Sequence, residues 1–171
     1  MPKPSTTAHA PYFQLYIDQV KEDDLLTGFQ KQQAAIEDLL AAVSEKRSTH
    51  AYAPGKWTIK QLLQHVIDTE RIFNYRALCF ARGEKASLPG FDENVYADAA
   101  TALNRSWKDL GEEFQALRKS TECLYKSFDG SAMNKGGLAN NNPLSVSSIG
   151  FITLGHFTHH KKIIEERYMQ P

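Results

Sequence analysis

Apolar residues recur at three- and four-residue spacing over four long stretches of the chain, separated by polar segments rich in Gly, Pro and Asn. The first stretch carries Leu25, Leu26, Phe29, Ala35, Ile36, Leu39, Leu40 and Val43 at helical spacing. Asp23 or Asp24 can cap its start, and Lys46 and Arg47 close its end, where cations suit the helix dipole. A short lead-in helix is predicted before it, over residues 12–20. Ser48 to Lys56, with Pro54-Gly55, forms a turn-rich connection. The second helix opens at Trp57-Thr58-Ile59-Lys60-Gln61. Thr58 and Gln61 have the spacing of a capping box, Trp57 occupies the hydrophobic-staple position, and Gly83 is the stop. Residues 84–100, with Pro89, Gly90 and several acids, form a long connection. A third helix is predicted over about 101–128, on the stripe Leu103, Trp107, Leu110, Phe114, Leu117, Thr121, Leu124 and Phe128. A polar run from Asp129-Gly130 to Asn142-Pro143 precedes the last helix, predicted from about Ser145 to Met169. No pair of alternating strands is expected. The fold class is all-α: a four-helix bundle forming one domain over residues 1–171, with 1–10 flexible. Such bundles place sites between facing helices in the core.

Composition narrows the function. With 171 residues and 42% hydrophobic content, the chain is long enough for one real core. Lys+Arg and Asp+Glu are both 20, a balance without the basic surplus of a phosphate-backbone binder. No nucleic-acid partner is expected. No apolar run reaches membrane-spanning length, and the polar N-terminus lacks the apolar core of a secretory signal. Cys79 and Cys123 lack metal or redox spacing and read as free thiols in a reducing cytoplasm.

The candidate chemistry lies in Gly155-His156-Phe157-Thr158-His159-His160. His156 and His160 are four apart, one turn apart on one helical face. Rotating the last helix at about 100° per residue puts both within about 20° of the Ile149 direction, in the middle of the apolar stripe, and His159 near its edge. Two inward imidazoles side by side are costly to bury and repel if both protonate. A metal ion removes both problems, since neutral imidazole is its natural ligand. The alternative is a pair of core histidines hydrogen-bonded to neighbours. His65 lies at the border of the second helix's stripe and is the candidate third ligand, although a lone histidine there is more often structural. Asp68, three residues on, is the candidate to orient His65 through its other ring nitrogen. Asp68 and Glu70 otherwise read as solvated helix charge, and His9 and His50 as surface residues.

Two segments carry a family resemblance. The run Pro54-Gly55-Lys56-Trp57-Thr58-Ile59-Lys60-Gln61-Leu62-Leu63-Gln64-His65-Val66-Ile67-Asp68-Thr69-Glu70-Arg71 resembles the first signature of the DinB-like (DinB/YfiT) superfamily. Gly155-His156-Phe157-Thr158-His159-His160, closing on Glu166-Arg167-Tyr168, resembles the second. The order and separation match, and the resemblance covers almost the whole chain. It implies a four-helix bundle in which His65, His156 and His160 hold a divalent metal, zinc or nickel. It also implies a small-molecule substrate, a homodimer, and either of two activities: transfer that uses a low-molecular-weight thiol as cosubstrate, or metal-dependent hydrolysis. The alternative is a non-catalytic bundle whose metal is structural, which needs a fourth protein ligand. The loops 84–100 and 134–143 are the candidates for lining a substrate mouth.

Overall fold

The structure, a computed structural model, describes residues 1–170. Four long helices form its body: α1 (Leu25–Ala42), α2 (Ile59–Ala81), α3 (Trp107–Lys126) and α4 (Val146–Ile163). Each starts on a short polar side chain that accepts from the amide three residues on. Asp24 accepts from Thr27, Thr58 from Gln61, Ser106 from Asp109 and Ser145 from Ser148. At α2 the capping box is complete, with the Thr58 amide donating to Gln61 Oε1 at 2.9 Å. Gly83 stops α2 with φ +92°, a conformation that costs a residue without Cβ little.

Some boundaries differ from the periodicity. Ser44 caps a separate turn, Glu45–Ser48, so the first helix ends at Ala42. The third helix begins at Trp107 instead of 101, because Ser106 supplies the cap; Leu103, the first residue of the predicted stripe, is 54% exposed. Within the segment read as connection, Asp92 caps a short helix, Glu93–Ala99.

The expectation of no strands is corrected. β1 (Gly136–Ala139) and β2 (Asn142–Ser145) pair antiparallel across Asn140-Asn141. Both asparagines have positive φ, 51° and 59°. A two-residue turn with both central residues left-handed matches strand twist, and asparagine tolerates that conformation. The hairpin sits against α2 and is held on both sides. The Leu88 amide donates to the Leu138 carbonyl and the Asn140 amide to the Leu88 carbonyl, while the Ser145 amide donates to the Ala8 carbonyl.

Packing sets the topology. α1 packs against α3 and α4, and α2 packs against the same two. The order around the bundle is therefore α1–α3–α2–α4, and α1 and α2, neighbours in the chain, lie across its diagonal. α4 carries no charge before Lys161, and every residue from Ser148 to Phe157 is buried. A helix apolar all round needs cover all round; the lead-in turn Gln14–Ile17 supplies it on the outer face.

Gly155 permits that cover, since a Cβ there would fall 1.9 Å from the Tyr16 carbonyl oxygen. Gly155→Ala is expected to destabilise the protein by about 1–3 kcal/mol, the range for overpacking. Urea denaturation checks it, and an unchanged midpoint would mean the lead-in segment is not held as described.

His9, expected at the surface, is 3% exposed. Its ring bridges Ser148 Oγ at 3.2 Å and Gln14 Oε1 at 2.9 Å, tying residues 8–14 to the start of α4. A buried imidazole needs such partners.

The apolar core falls in two parts, one around Phe29, Phe73, Ile149 and Tyr125, the other around Ile36, Leu63, Leu110 and Phe114. Between them lies a polar layer drawn from all four helices. Arg118 grips Glu70 with two hydrogen bonds, Nε to Oε1 at 3.1 Å and Nη2 to Oε2 at 2.9 Å. It also donates to Gln32 Oε1 at 2.6 Å, and Gln32 in turn donates to the Leu154 carbonyl and Thr158 Oγ1. The Thr121 hydroxyl donates to Glu70 at 2.6 Å. The guanidinium carbon lies 5.3–5.6 Å from the ring centres of Phe29, Phe114 and Phe157. Glu70 was expected on a solvated face; it is 2% exposed.

Candidate metal centre

The seam between α2 and α4 brings His65, His156 and His160 together. Four-residue spacing puts His156 and His160 on one face of α4, and α2 packs against that face. His156 Nε2 lies 3.1 Å from His65 Nε2 and 3.0 Å from His160 Nε2. The three nitrogens all fall within 4.8 Å of one another. This is more than a hydrogen-bonded pair, because one ring N–H cannot serve two nitrogens at once. Three nitrogens bound tetrahedrally at about 2.05 Å stand about 3.3 Å apart, close to the spacing here. The donor set fits a divalent ion.

Burial keeps the imidazoles in the neutral form that binds metal. It pushes the pKa of His65 down to about 4, with Glu93 pulling weakly the other way. His160 falls to about 3, by burial and then by the nearby His65 and His159. His156 is driven well below its ordinary value by burial, reinforced by His160 and His65. His160 Nδ1 is buried without a partner.

The supports of the cluster differ from expectation. Asp68 accepts from Gln64 Nε2 at 2.9 Å and is not brought to His65. The atom facing His65 Nδ1 is Thr69 Oγ1, at 3.5 Å. Four residues along a helix share a face better than three when the side chain must reach back one turn. The Trp57 ring lies 5.0 Å from His65, and the Trp57 carbonyl accepts from the Tyr168 hydroxyl at 2.7 Å. Tyr168 ends the π-helical turn Ile164–Tyr168 that follows α4, so the last helix steadies the wall behind His65. His159 is not in the cluster; its ring packs on Tyr16 at 5.4 Å.

The cluster forms the floor of a cavity of about 400 Å³. That is within the range of small-molecule sites. Its walls include Trp57, Phe73, Tyr16, Arg76, Phe91, Glu93 and Asn140. Both loops expected at a mouth contribute, the first through Gly90, Phe91 and Glu93, the second through Ala139 and Asn140. Tyr12 and Glu93 are exposed, so the cavity opens to solvent. Sequence reasoning did not single out Tyr16 or Glu93, which reach the cavity only through the tertiary fold; helical rotation puts Arg76 on the His65 side of α2 but gives it no role.

A helical bundle with three histidines converging beneath an open cavity is the class that fold and site define. The chain belongs to the DinB superfamily, whose family model matches residues 28–164. Its fold is similar to that of YfiT from Bacillus subtilis, described as a probable metal-dependent hydrolase with an unusual four-helix bundle topology. The TM-score is 0.73 at 14% identity, over 96% of this chain and 90% of that one. No curated protein matches the chain. No helix among the described residues is long and apolar enough to cross a membrane.

Proposed function

We propose that the chain is a metal-dependent hydrolase of a small molecule, with His65, His156 and His160 as ligands of one divalent ion. The observation that carries this reading is the convergence of three imidazole nitrogens on the floor of a solvent-open cavity. Three protein ligands and a free position are the pattern of catalytic zinc; structural sites close with four. Imidazole donors suit zinc or nickel. An ion held by these three residues would supply Lewis acidity and would lower the pKa of a water or thiol toward neutral pH.

The chain's own residues do the rest. Glu93 is the carboxylate on the cavity wall and the group available to take a proton from the attacking nucleophile. Trp57, Phe73 and Phe91 hold the apolar body of the substrate and exclude bulk water. Burial raises the pKa of Tyr16, with Glu93 adding to it, so its hydroxyl stays protonated as a donor.

The description of YfiT supports hydrolysis as the reaction. Thiol transfer, implied by the sequence resemblance, differs in the nucleophile alone. Zinc- or nickel-loaded protein is expected to hydrolyse activated esters or amides without added thiol and to lose that activity on chelation. Turnover only with a low-molecular-weight thiol, with a thiol adduct of the electrophile seen by mass spectrometry, would make it a transferase instead.

A further inference from the structure

Three cationic side chains are buried among the described residues: Lys60, Arg76 and Arg118. Lys60 pairs with Glu45 and donates to the Arg105 carbonyl. Arg118 holds Glu70 with two hydrogen bonds. Arg76 is 6% exposed yet, among the described residues, has no carboxylate at ion-pairing distance; its one protein acceptor is the Pro89 carbonyl, at 2.8 Å. A guanidinium has five N–H donors in a fixed fork, so most of the fork is unused. A buried cation without a counter-charge is costly, and here burial lowers its pKa, with only the Tyr12 hydroxyl acting against it.

Arg76 lines the same cavity as the histidine cluster. The counter-charge that the protein omits has room to arrive with a ligand. The surroundings define which anion. The Phe91 ring centre lies 5.9 Å from the guanidinium carbon, and Phe13 and Phe73 complete an apolar wall. One planar fork among aromatic rings matches one planar monoanion on an apolar body. A phosphate dianion calls for more donors than one arginine.

We propose that Arg76 is a substrate-recognition residue, and that the cavity takes small molecules bearing a carboxylate, paired with Arg76, with the bond to be cleaved near His65, His156 and His160. This deepens the hydrolase reading, on which the word substrate rests; the anion site itself stands on Arg76 alone.

Arg76 also anchors the 84–100 loop through Pro89, so the test must separate charge from anchorage. Arg76→Gln keeps a donor for the Pro89 carbonyl and removes the charge, and Arg76→Lys keeps the charge. Calorimetric titration of the full-length protein, as purified and again after chelation, uses benzoate, neutral benzamide and phenyl phosphate. The parent and Arg76→Lys are expected to bind benzoate in preference to benzamide in both conditions. In Arg76→Gln benzoate should weaken about tenfold or more, with benzamide unchanged. Equal benzoate binding by the parent and Arg76→Gln overturns the proposal. So does benzoate binding that chelation removes and Arg76→Gln does not, which would place the carboxylate on the ion. Preference for phenyl phosphate overturns the choice of anion, and no saturable binding of benzoate in the millimolar range overturns the site. A parent that binds no metal but keeps its Arg76-dependent preference for benzoate would sink the hydrolase and leave the anion site standing.

Discussion

Replacing His156 with alanine is expected to abolish divalent-metal binding. Its Nε2 is the atom that lies within 3.1 Å of both other imidazole nitrogens. Without it, the pair left behind sits on two different helices with no third donor among the described residues. Loss of a contact that merely supports a ligand weakens metal affinity about 10–100-fold; loss of one ligand of three exceeds that. Elemental analysis of protein purified without an affinity tag should give about one ion per chain in the parent and none in His156→Ala, His65→Ala or His160→Ala. His159→Ala should keep its metal, since His159 packs on Tyr16 outside the cluster. Bound metal should also raise the parent's melting temperature, and chelation should lower it without affecting the variants. Stoichiometric metal in all three cluster variants would remove the site.

The second large effect is on stability and lies in the polar layer. Arg118→Met leaves the Glu70 carboxylate buried, with Thr121 as its remaining partner, and strips Gln32 of its donor. Breaking a buried ion pair from one side costs about 3–5 kcal/mol. For a chain of this length that lowers the melting temperature on the order of 10 °C. Glu70→Leu should cost a similar amount, because it leaves the guanidinium uncompensated among Phe29, Phe114 and Phe157. Combining the two should recover much of the loss, since apolar pairs of similar volume replace buried ion pairs at little cost. Thermal and urea denaturation of the cycle measures all three. Single variants within about 1 kcal/mol of the parent would show that the pair is not the linchpin of the layer.

Much of this architecture is legible in the chain, for local reasons. The box Thr58–Gln61 and the stop at Gly83 depend on residues next to one another, and both are present as read. The inward placement of His156 and His160 follows from helical rotation within a single element. What the sequence hid depends on pairing between elements. Glu70 lies between Val66, Ile67 and Phe73, on the apolar face of α2, and Arg118 between Phe114 and Thr121, on that of α3. Either charge alone looks misplaced; an acid and a base on two apolar faces together signal a buried pair. Asn140-Asn141 carried a legible hairpin signal, a two-residue turn of left-handed formers, obscured because the flanking strands are four residues each, the first opening on two glycines and the second holding a proline. His9 had no local signal, as its partner Ser148 is 139 residues away. Arg76 stood in plain view on α2, and only the absence, among the described residues, of a carboxylate at ion-pairing distance gives it meaning.

The diagonal placement of α1 and α2 also bears on how the chain finds this structure. In an up-down bundle each new helix docks on the one made before it, and short loops are closed one at a time. Here α1 has its partners in α3 and α4, and α2 has the same two. Of the long helices only α2 and α3 pair in chain order; α1 must reach past a whole helix to α3, and it has its full set of neighbours only once the C-terminal helix is available. Contacts of such long sequence separation slow folding. On the ribosome, the N-terminal half would emerge with both of its long helices made and neither face covered, waiting first for α3 and then for the segment that carries His156 and His160.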